Sequence, residues 1–369
     1  MKIVVIGTRG IPNIMGGVET HCEQLYPRIA AMGHDVTVIR RSTYVTPENK
    51  IDNYKRVKLL DLYTPRKKSF EAIIHTFLAV IKARQLHPDV LHVHAIGPAI
   101  MVPFARLLGM KVVMTNHGPD YDRDKWGKLA KFILKTGERL GSKYSNRVIV
   151  ISQTIADIVA NRYGRKDTDL IYNGVETPVK SKNTDYIQSL GLTPGRYIVA
   201  LGRFVKEKGF HDLIEAYRRL GDTDYKFVIA GDADHEDEYS RTLKQMARDT
   251  KGVVLTGFIR GEKLNQIMTN ADLFVLPSYH EGLPIALLEA LSYNLDVIVS
   301  DIPANTINCL QQTDFFKVGD VDSLTALLQG KLRAHSASTT SGREYDLSCY
   351  NWDYIAGQVA DLYNQICNY

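Results

Sequence analysis

The sequence predicts an α/β protein in which a doubly wound architecture occurs twice, and three observations carry that prediction. Short apolar, β-branched runs alternate with helical patterns along the chain. The pattern turns polar near Tyr172–Lys182 (YNGVETPVKSK), and a fresh strand with a basic, Gly-bearing turn follows at Arg196–Gly209. A chain of 369 residues is also too long for one ordinary core and suits two domains.

Lys2–Ile6, Val36–Ile39, Val90–Val93, Val112–Thr115, Val148–Ile151, Tyr197–Ala200, Phe227–Ala230, Phe274–Leu276 and Val297–Val299 read as buried parallel strands. Glu19–Met32, Phe70–Gln85, Phe210–Leu220 and Leu264–Thr269 read as helices between them. A closing helix is expected over Trp352–Ile366 behind an Asn351 N-cap, and Ala334–Ser341 reads as a small polar loop. The domains are therefore placed at residues 1–172 and 173–351, with 352–369 packing back on the first.

Composition narrows the class. A hydrophobic content of 44% and a charged content of 24% are globular values. The longest run without Asp, Glu, Lys or Arg, Val90 to Ala105, is too short to cross a bilayer as a helix. The opening MKIVVIG enters a strand at once, without the pattern of a secretory signal. Cys22, Cys309, Cys349 and Cys367 are scattered, which favours a reducing cytoplasm over a disulfide framework or zinc site. Net charge is +5 but unevenly held. Residues 1–172 carry 27 Lys and Arg against 15 Asp and Glu, or +12; the remainder carries 19 against 26, or −7. The basic half should meet an anionic partner. Two surfaces are candidates: Arg66, Lys67 and Lys68, and one helix face with Lys128, Lys131 and Lys135 beside Trp126 and Phe132. Aromatic interleaving is too sparse for nucleic acid.

Three segments carry chemistry. In PSYHEGLPIALLEA, Glu281 precedes a helix whose first residue would be Pro284, and Glu289 lies inside it. Fully helical spacing would separate the two acids by roughly 12 Å. Backbone N–H groups at Gly282 and Leu283 would face a diphosphate at the positive helix end, and the acids would accept hydroxyl hydrogen bonds from a sugar and a ribose. An ordinary solvated acidic helix is the alternative. In LGRFVKEKGF, Arg203 and Lys208 follow a strand end and would neutralise a leaving diphosphate, unless they only form a solvated basic loop. In GTRGIPNIMGGVE, the spacing is not a dinucleotide fingerprint, but Gly16 and Gly17 would allow close backbone approach to a ligand. Arg9 in that turn is either an acceptor contact or a loop salt bridge.

The G-G-x-E turn, the GR…EKG segment and the E-x7-E spacing together resemble family 4 of the retaining glycosyltransferases. The opening GTRGIP…GGVET is similar to rhamnosyltransferase-type enzymes of bacterial surface-polysaccharide assembly, and YNGV at Tyr172–Val175 and YNWDYIAGQ extend the likeness over nearly the whole chain. The resemblance implies the GT-B fold: two Rossmann-like domains facing across a cleft, with the C-terminal helix returning to the first. It implies a nucleotide-sugar donor, no cofactor, and no metal. Arg203 and Lys208 would bind the donor diphosphate, Glu281 the sugar hydroxyls and Glu289 the ribose, with Gly16 and Gly17 closing from the other domain. His117, in MTNHG, matches the family's histidine beside the sugar ring, and Gly257 and Phe258 lie where the base is clasped or simply end a strand. The acceptor would be lipid-linked, at an anionic membrane surface on the cytoplasmic side.

Other signals point elsewhere. Asp232–Asp234 (GDAD) imitates a metal-binding D-x-D, and His92, His94 and His117 form a possible metal cluster. Arg40 and Arg41 end the second strand where an NADP-dependent oxidoreductase would hold a 2′-phosphate. A non-catalytic sugar-nucleotide-binding protein is the third class compatible with the sequence.

Overall fold

The structure is a computed structural model that describes residues 1–65, 71–122, 127–233, 236–337 and 343–368. Two compact units emerge: Met1–Gly174 with Cys349–Tyr369, and Val175–Ser348.

The first unit runs β1 (Lys2–Ile6), α1 (Gly17–Ala31), β2 (Asp35–Arg41), β3 (Asn53–Tyr54), β4 (Val57–Leu62), α2 (Glu71–Leu86) and β5 (Val90–His94). It continues with α3 (Val102–Leu107), β6 (Val112–Asn116), α4 (Lys128–Tyr144), β7 (Arg147–Val150), α5 (Gln153–Tyr163) and β8 (Asp169–Leu170). The sheet order is β3-β4-β2-β1-β5-β6-β7-β8, parallel throughout except for the antiparallel β3–β4 edge. Strands β3, β4 and β8 are additions to the sequence expectation. Each lies at or near the rim of the sheet and lacks a long apolar run.

Period-two alternation sorts the core. Ile3 and Val5 of β1 face one way, with Leu25, Tyr26 and Ile29 of α1; Val4 and Ile6 face the other, with Ala79 and Val80 of α2. The second unit supplies the elements between β8 and the last helix: α6 (Asp185–Ser189), β9 (Tyr197–Leu201), α7 (Phe210–Arg219), β10 (Lys226–Ala230), α8 (Glu238–Arg248) and β11 (Val253–Gly257). After them come α9 (Gly261–Asn270), β12 (Leu273–Leu276), α10 (Ile285–Ser292), β13 (Asp296–Ser300), β14 (Phe315–Phe316) and α11 (Val321–Ala337). The chain closes with α12 (Trp352–Cys367), which buries Trp352, Ile355, Val359 and Tyr363 in the α1 core of the first unit. The Asn351 side-chain oxygen accepts from the backbone N–H groups of Asp353 and Tyr354 at 2.9 and 3.1 Å, making it the N-cap expected.

The second sheet is parallel throughout, in the order β11-β10-β9-β12-β13-β14. This is a doubly wound arrangement whose strand order reverses between β9 and β12, where the carboxyl ends of strands open a crevice. Its interior packs Ile198, Phe227, Ile229, Val275 and Ile298 against Phe210, Ile214 and Leu243. Three local expectations change. Helix α11 continues through Ala337, so Ala334–Ala337 is helical rather than loop, because Leu328 and Leu332 keep its apolar stripe on the sheet. Pro284 is the N-cap of α10, extended at ψ 109°, and Ile285 is the first helical residue. The residues between Glu281 and Ile285 are therefore not helical, and the helical spacing assumed for the two acids does not apply.

At the opposite edge of this sheet a polar cluster anchors α11. His335 Nδ1 lies 2.9 Å from Asp272 and its Nε2 3.1 Å from Asp296, at the starts of β12 and β13. Lys331 pairs with Asp296 and Asp314 at 2.6 and 2.9 Å, and Arg343 with Asp314 at 2.9 Å. Hydrogen bonds to Asp272 and then Asp296 raise the His335 pKa to about 9, against the opposing effect of burial. A raised histidine pKa stabilises fully below about 6.5 and loses that contribution as pH climbs through 9. At 1.36 kcal/mol per unit the ceiling is roughly 3 kcal/mol. Thermal melts should thus fall between pH 6.5 and 9.5 more steeply for the native chain than for His335→Gln; parallel curves would contradict the assignment.

Candidate functional site

The reversal of strand order in the second unit brings two motifs together. β9 ends at Leu201, Gly202 turns with φ 153°, and a short 3-10 turn over Lys206–Lys208 leads through Gly209 into α7. Gly209 has φ 66°, and a Cβ there would lie 2.1 Å from the Pro277 carbonyl oxygen, so only glycine lets this turn press on the exit of β12. The Tyr279 backbone N–H donates to the Glu207 carbonyl at 2.8 Å, fastening the same seam.

Across it Lys208 Nζ meets Glu281 Oε1 at 2.6 Å, with side chains 16% and 11% exposed. Ser278 Oγ donates to the same carboxylate oxygen at 2.6 Å. A charge pair so enclosed is stabilising only with good geometry and further hydrogen bonds, and Ser278 supplies one. Arg203 is partly exposed in the same turn. The loop thus sets two cations and one oriented carboxylate beside the N-terminus of α10, an arrangement suited to a diphosphate carrying a hydroxylated group. Gly282 is partly exposed before that helix, and Leu283 is buried beside it.

Glu289, on α10, is pushed up to about 7 by burial, against the attraction of Arg260. The Arg260 guanidinium lies 5.1 Å from the Phe258 ring, which is 45% exposed just past Gly257 at the end of β11. Phe258, Arg260 and Glu289 form a second group on the carboxyl edge of the sheet: an aromatic face, a cation and a carboxylate. Neither Ser278 nor Arg260 was legible as a site residue, since only the turn geometry recruits them.

In the first unit the turn after β1 is tightly constrained. A Cβ on Gly7 would lie 2.2 Å from the His94 carbonyl oxygen, and one on Gly16 2.0 Å from Glu19 Oε2. Gly16 caps α1 at φ 147° and ψ 150°, a conformation essentially restricted to glycine, while Gly17 faces open space. Glu19 accepts from the Arg9 backbone N–H at 3.0 Å and from Thr8 Oγ1 at 3.2 Å. Arg9 itself donates to the Met15 carbonyl at 3.2 Å and stacks on Tyr44 at 4.9 Å, so its guanidinium binds its own loop. His117 follows β6 and lies, partly exposed, against His21 and His94.

The competing signals resolve physically. Arg40 is 1% exposed and is held by Asp61 and by the carbonyls of Ile11, Asn49 and Ile51, which leaves no fork for a 2′-phosphate. Arg41 pairs with Glu71 at 3.2 Å. Asp232 pairs with Lys244 at 2.9 Å, and Asp234 lies outside the described residues. Among the described residues the histidines able to converge on one ion are His21, His94 and His117, not the His92-containing set. His92 instead bonds Thr115 and Tyr363.

On α4, Lys128 and Lys135 are exposed and Lys131 partly so, with Leu129 and Phe132 standing 74% and 67% exposed among them. Arg66, Lys67 and Lys68 lie outside the described residues, as does Trp126. No helix among the described residues is long and apolar enough to cross a membrane.

Two doubly wound, parallel-sheet units in one chain are the architecture of the GT-B fold. Residues 15–178 match the model of Glycosyltransferase Family 4 and residues 183–328 that of Glycosyl transferases group 1. Two glycosyltransferase models thus match most of the chain, which is similar to family 4 glycosyltransferases. It is 26% identical over 323 residues to an uncharacterized glycosyltransferase of Methanocaldococcus jannaschii, covering 82% of this chain and 81% of that one. It is 29% identical over 252 residues, 64% of each chain, to the UDP-Gal:α-D-GlcNAc-diphosphoundecaprenol α-1,3-galactosyltransferase of Escherichia coli. The solved structure of Anabaena HepE in complex with UDP and glucose superposes with a TM-score of 0.78 at 17% identity, over 99% of this chain and 100% of that one.

The Glu289 environment yields a direct test. Titration of the ligand-free protein, followed by carboxyl carbon NMR with Glu289→Gln for assignment, should give a midpoint near 7. A midpoint in the ordinary glutamate range, about 4.3, would show that the site is solvated.

Proposed function

We propose that this glycosyltransferase moves a rhamnosyl or other hexosyl group from a nucleotide-sugar donor to a lipid-linked glycan acceptor, with retention of configuration and without a metal ion. It would do so in cell-surface polysaccharide assembly, peripherally on the cytoplasmic face of a membrane. The observation that carries the reading is the Lys208–Glu281 pair beside Arg203 at the strand-order reversal of the second sheet.

In this reading Arg203 and Lys208 take the charge of the departing diphosphate, the task a divalent ion performs elsewhere. Glu281, held by Ser278, accepts hydrogen bonds from the sugar hydroxyls, and Gly282 offers its N–H at the helix end. Glu289 accepts from the ribose, with Phe258 and Arg260 against the base. Hydroxyl donors favour the ionised form of Glu289, so nucleotide affinity should rise with pH through about 7. Gly16 and Gly17 approach phosphate and sugar, and His117 stands beside the sugar ring. Both site carboxylates have duties other than nucleophilic attack, which favours same-face attack over double displacement; a donor phosphate oxygen then helps to deprotonate the acceptor. The E. coli relative acts, by its name, on a diphosphoundecaprenol-linked sugar, which supports a lipid diphosphate acceptor here. The rhamnosyl choice rests on the GTRGIP…GGVET opening alone.

Glu281→Gln should lower turnover more than tenfold, over about 1.4 kcal/mol of transition-state stabilisation. Glu289→Gln should chiefly weaken nucleotide binding, and activity should survive excess EDTA. Wild-type kinetics and affinity in both variants, or loss in EDTA restored by manganese, would refute the site as drawn.

The membrane arm stands separately. Leu129 and Phe132 beside Lys128, Lys131 and Lys135 offer apolar anchors within a basic face, each cation contributing about 1 kcal/mol near an anionic leaflet. Flotation should show binding to anionic vesicles at low salt and release at high salt. Reversal of Lys128, Lys131 and Lys135 to Glu should weaken it, with Arg66, Lys67 and Lys68 reversed as the second surface. Equal binding to neutral and anionic vesicles would exclude electrostatic docking.

A further inference from the structure

On the side of the first sheet covered by α1 and α12, alternate residues of two neighbouring strands change character. In β5 they run Val90, His92, His94; along β6 and just past it they run Val113, Thr115, His117. The apolar half of this face packs against helix side chains. The polar half, at the carboxyl ends of the strands, meets Tyr26 of α1 and Tyr363 of α12. Tyr26, His92 and His94 are fully buried.

The contacts form one line. His117 Nε2 lies 2.9 Å from His94 Nδ1. His94 Nε2 is hydrogen-bonded to the Tyr26 hydroxyl. The same hydroxyl lies 3.0 Å from His92 Nδ1, which is 2.5 Å from the Tyr363 hydroxyl, and His92 Nε2 is 2.7 Å from Thr115 Oγ1. Burial holds His92, His94 and His117 below the usual histidine range, so all three are neutral near pH 7, and it keeps the Tyr26 phenol protonated. A neutral imidazole has one donor nitrogen and one acceptor nitrogen. Each junction in the line therefore has a direction, and settling one settles its neighbours.

Tyr26 settles it. A phenol O–H is a stronger acid than a neutral imidazole N–H, and an imidazole nitrogen is a better acceptor than a phenol oxygen. The Tyr26 hydroxyl also contacts the Tyr363 hydroxyl, but a phenol oxygen is the poorer acceptor, so Tyr26 donates to a histidine. His92 Nδ1 already has Tyr363 at the shorter distance, whereas His94 Nε2 has Tyr26. With Nε2 accepting, His94 carries its proton on Nδ1 and donates it to His117 Nε2. His117 must then carry its own proton on Nδ1.

We propose that Tyr26 is a positioning residue that fixes the tautomer of His117 through His94, so that His117 presents an Nδ1–H donor, not a base, at the site. The catalytic consequence rests on the function proposed above: the histidine beside the sugar ring donates a hydrogen bond and leaves acceptor deprotonation to the donor phosphate. The same arrangement bears on the His21, His94 and His117 cluster, whose ligand atoms lie within 4.8 Å of one another. An ion bound through His94 Nδ1 would have to displace that proton.

Long-range proton–nitrogen NMR on histidine-labelled protein reads the tautomers directly, with His94→Gln and His117→Gln for assignment. His94 and His117 should both appear as Nδ1–H forms, whereas most neutral histidines carry the proton on Nε2. Tyr26→Phe should move His117 toward the Nε2–H form and lower the turnover of donor hydrolysis about tenfold, with KM changed less than twofold. His94→Asn, whose amide nitrogen stands where Nδ1 does and still donates, should preserve the His117 tautomer, and His94→Leu should not; this pair decides the matter if Tyr26→Phe fails to fold. An Nε2–H form of His117 in the native chain, or a tautomer indifferent to Tyr26 and His94, overturns the proposal. So does one equivalent of zinc binding tightly and displacing the His94 Nδ1–H. A tautomer that flips without loss of turnover overturns the catalytic half. Absence of sugar transfer with every donor would instead defeat the functional reading and leave the tautomer result to stand or fall by itself.

Discussion

In the second unit every sheet pairing is parallel, and this constraint organises the rest of the domain. Parallel strands joined by right-handed crossovers deliver all their carboxyl ends to one edge and all their starts to the other. Where the order reverses, between β9 and β12, the loops leaving the two central strands part and expose backbone and side chains to a ligand. The contact that makes this opening chemical is the pressure of Gly209 on the Pro277 carbonyl, which carries Lys208 onto Glu281. A Cβ at position 209 would lie 2.1 Å from that carbonyl oxygen, so the seam between the two loops would have to shift.

The two edges of that sheet accordingly do different work. The carboxyl edge holds Arg203, Lys208, Glu281, Phe258 and Arg260 in loops, partly open to solvent. The starting edge holds Asp272, Asp296, Asp314, Lys331, His335 and Arg343 in a mutually satisfied cluster that ties α11 to the strands. Both edges are highly charged, but only one has a carboxylate whose burial is poorly compensated. Glu289 is raised toward neutrality, while the cluster around His335 stabilises charge.

The first unit uses its carboxyl edge in another way. Its turns are closed by glycine contacts at Gly7 and Gly16, and Arg9 is tied to Met15 and Tyr44. Polar groups there run inward as a connected histidine–tyrosine line under the sheet end. Such a network is secure only when every member has a partner, and its members come from β5, β6, α1 and α12 together. The return of α12 to this unit is therefore part of the polar design as well as of the apolar core, since Tyr363 belongs to both.

Much of this was legible beforehand. Short apolar, β-branched runs mark the nine central strands, because strands buried on both faces must be apolar along their length. Edge strands such as β3, β8 and β14, two residues each, left no such trace. Glu281, Arg203 and Lys208 are legible by residue type beside strand ends, and Glu289 by its spacing from Glu281 into the next helix; both are local properties. That Lys208 and Glu281 touch, that Ser278 joins them and that Arg260 opposes Glu289 are not local facts. They depend on which strands become neighbours and on how closely two backbones approach. The alternation that put His92 and His94 on one face was written in the sequence. Their partners, separated by 66 and 271 residues along the chain, were chosen by tertiary packing alone, because only a folded core removes the water that would otherwise satisfy each of them singly.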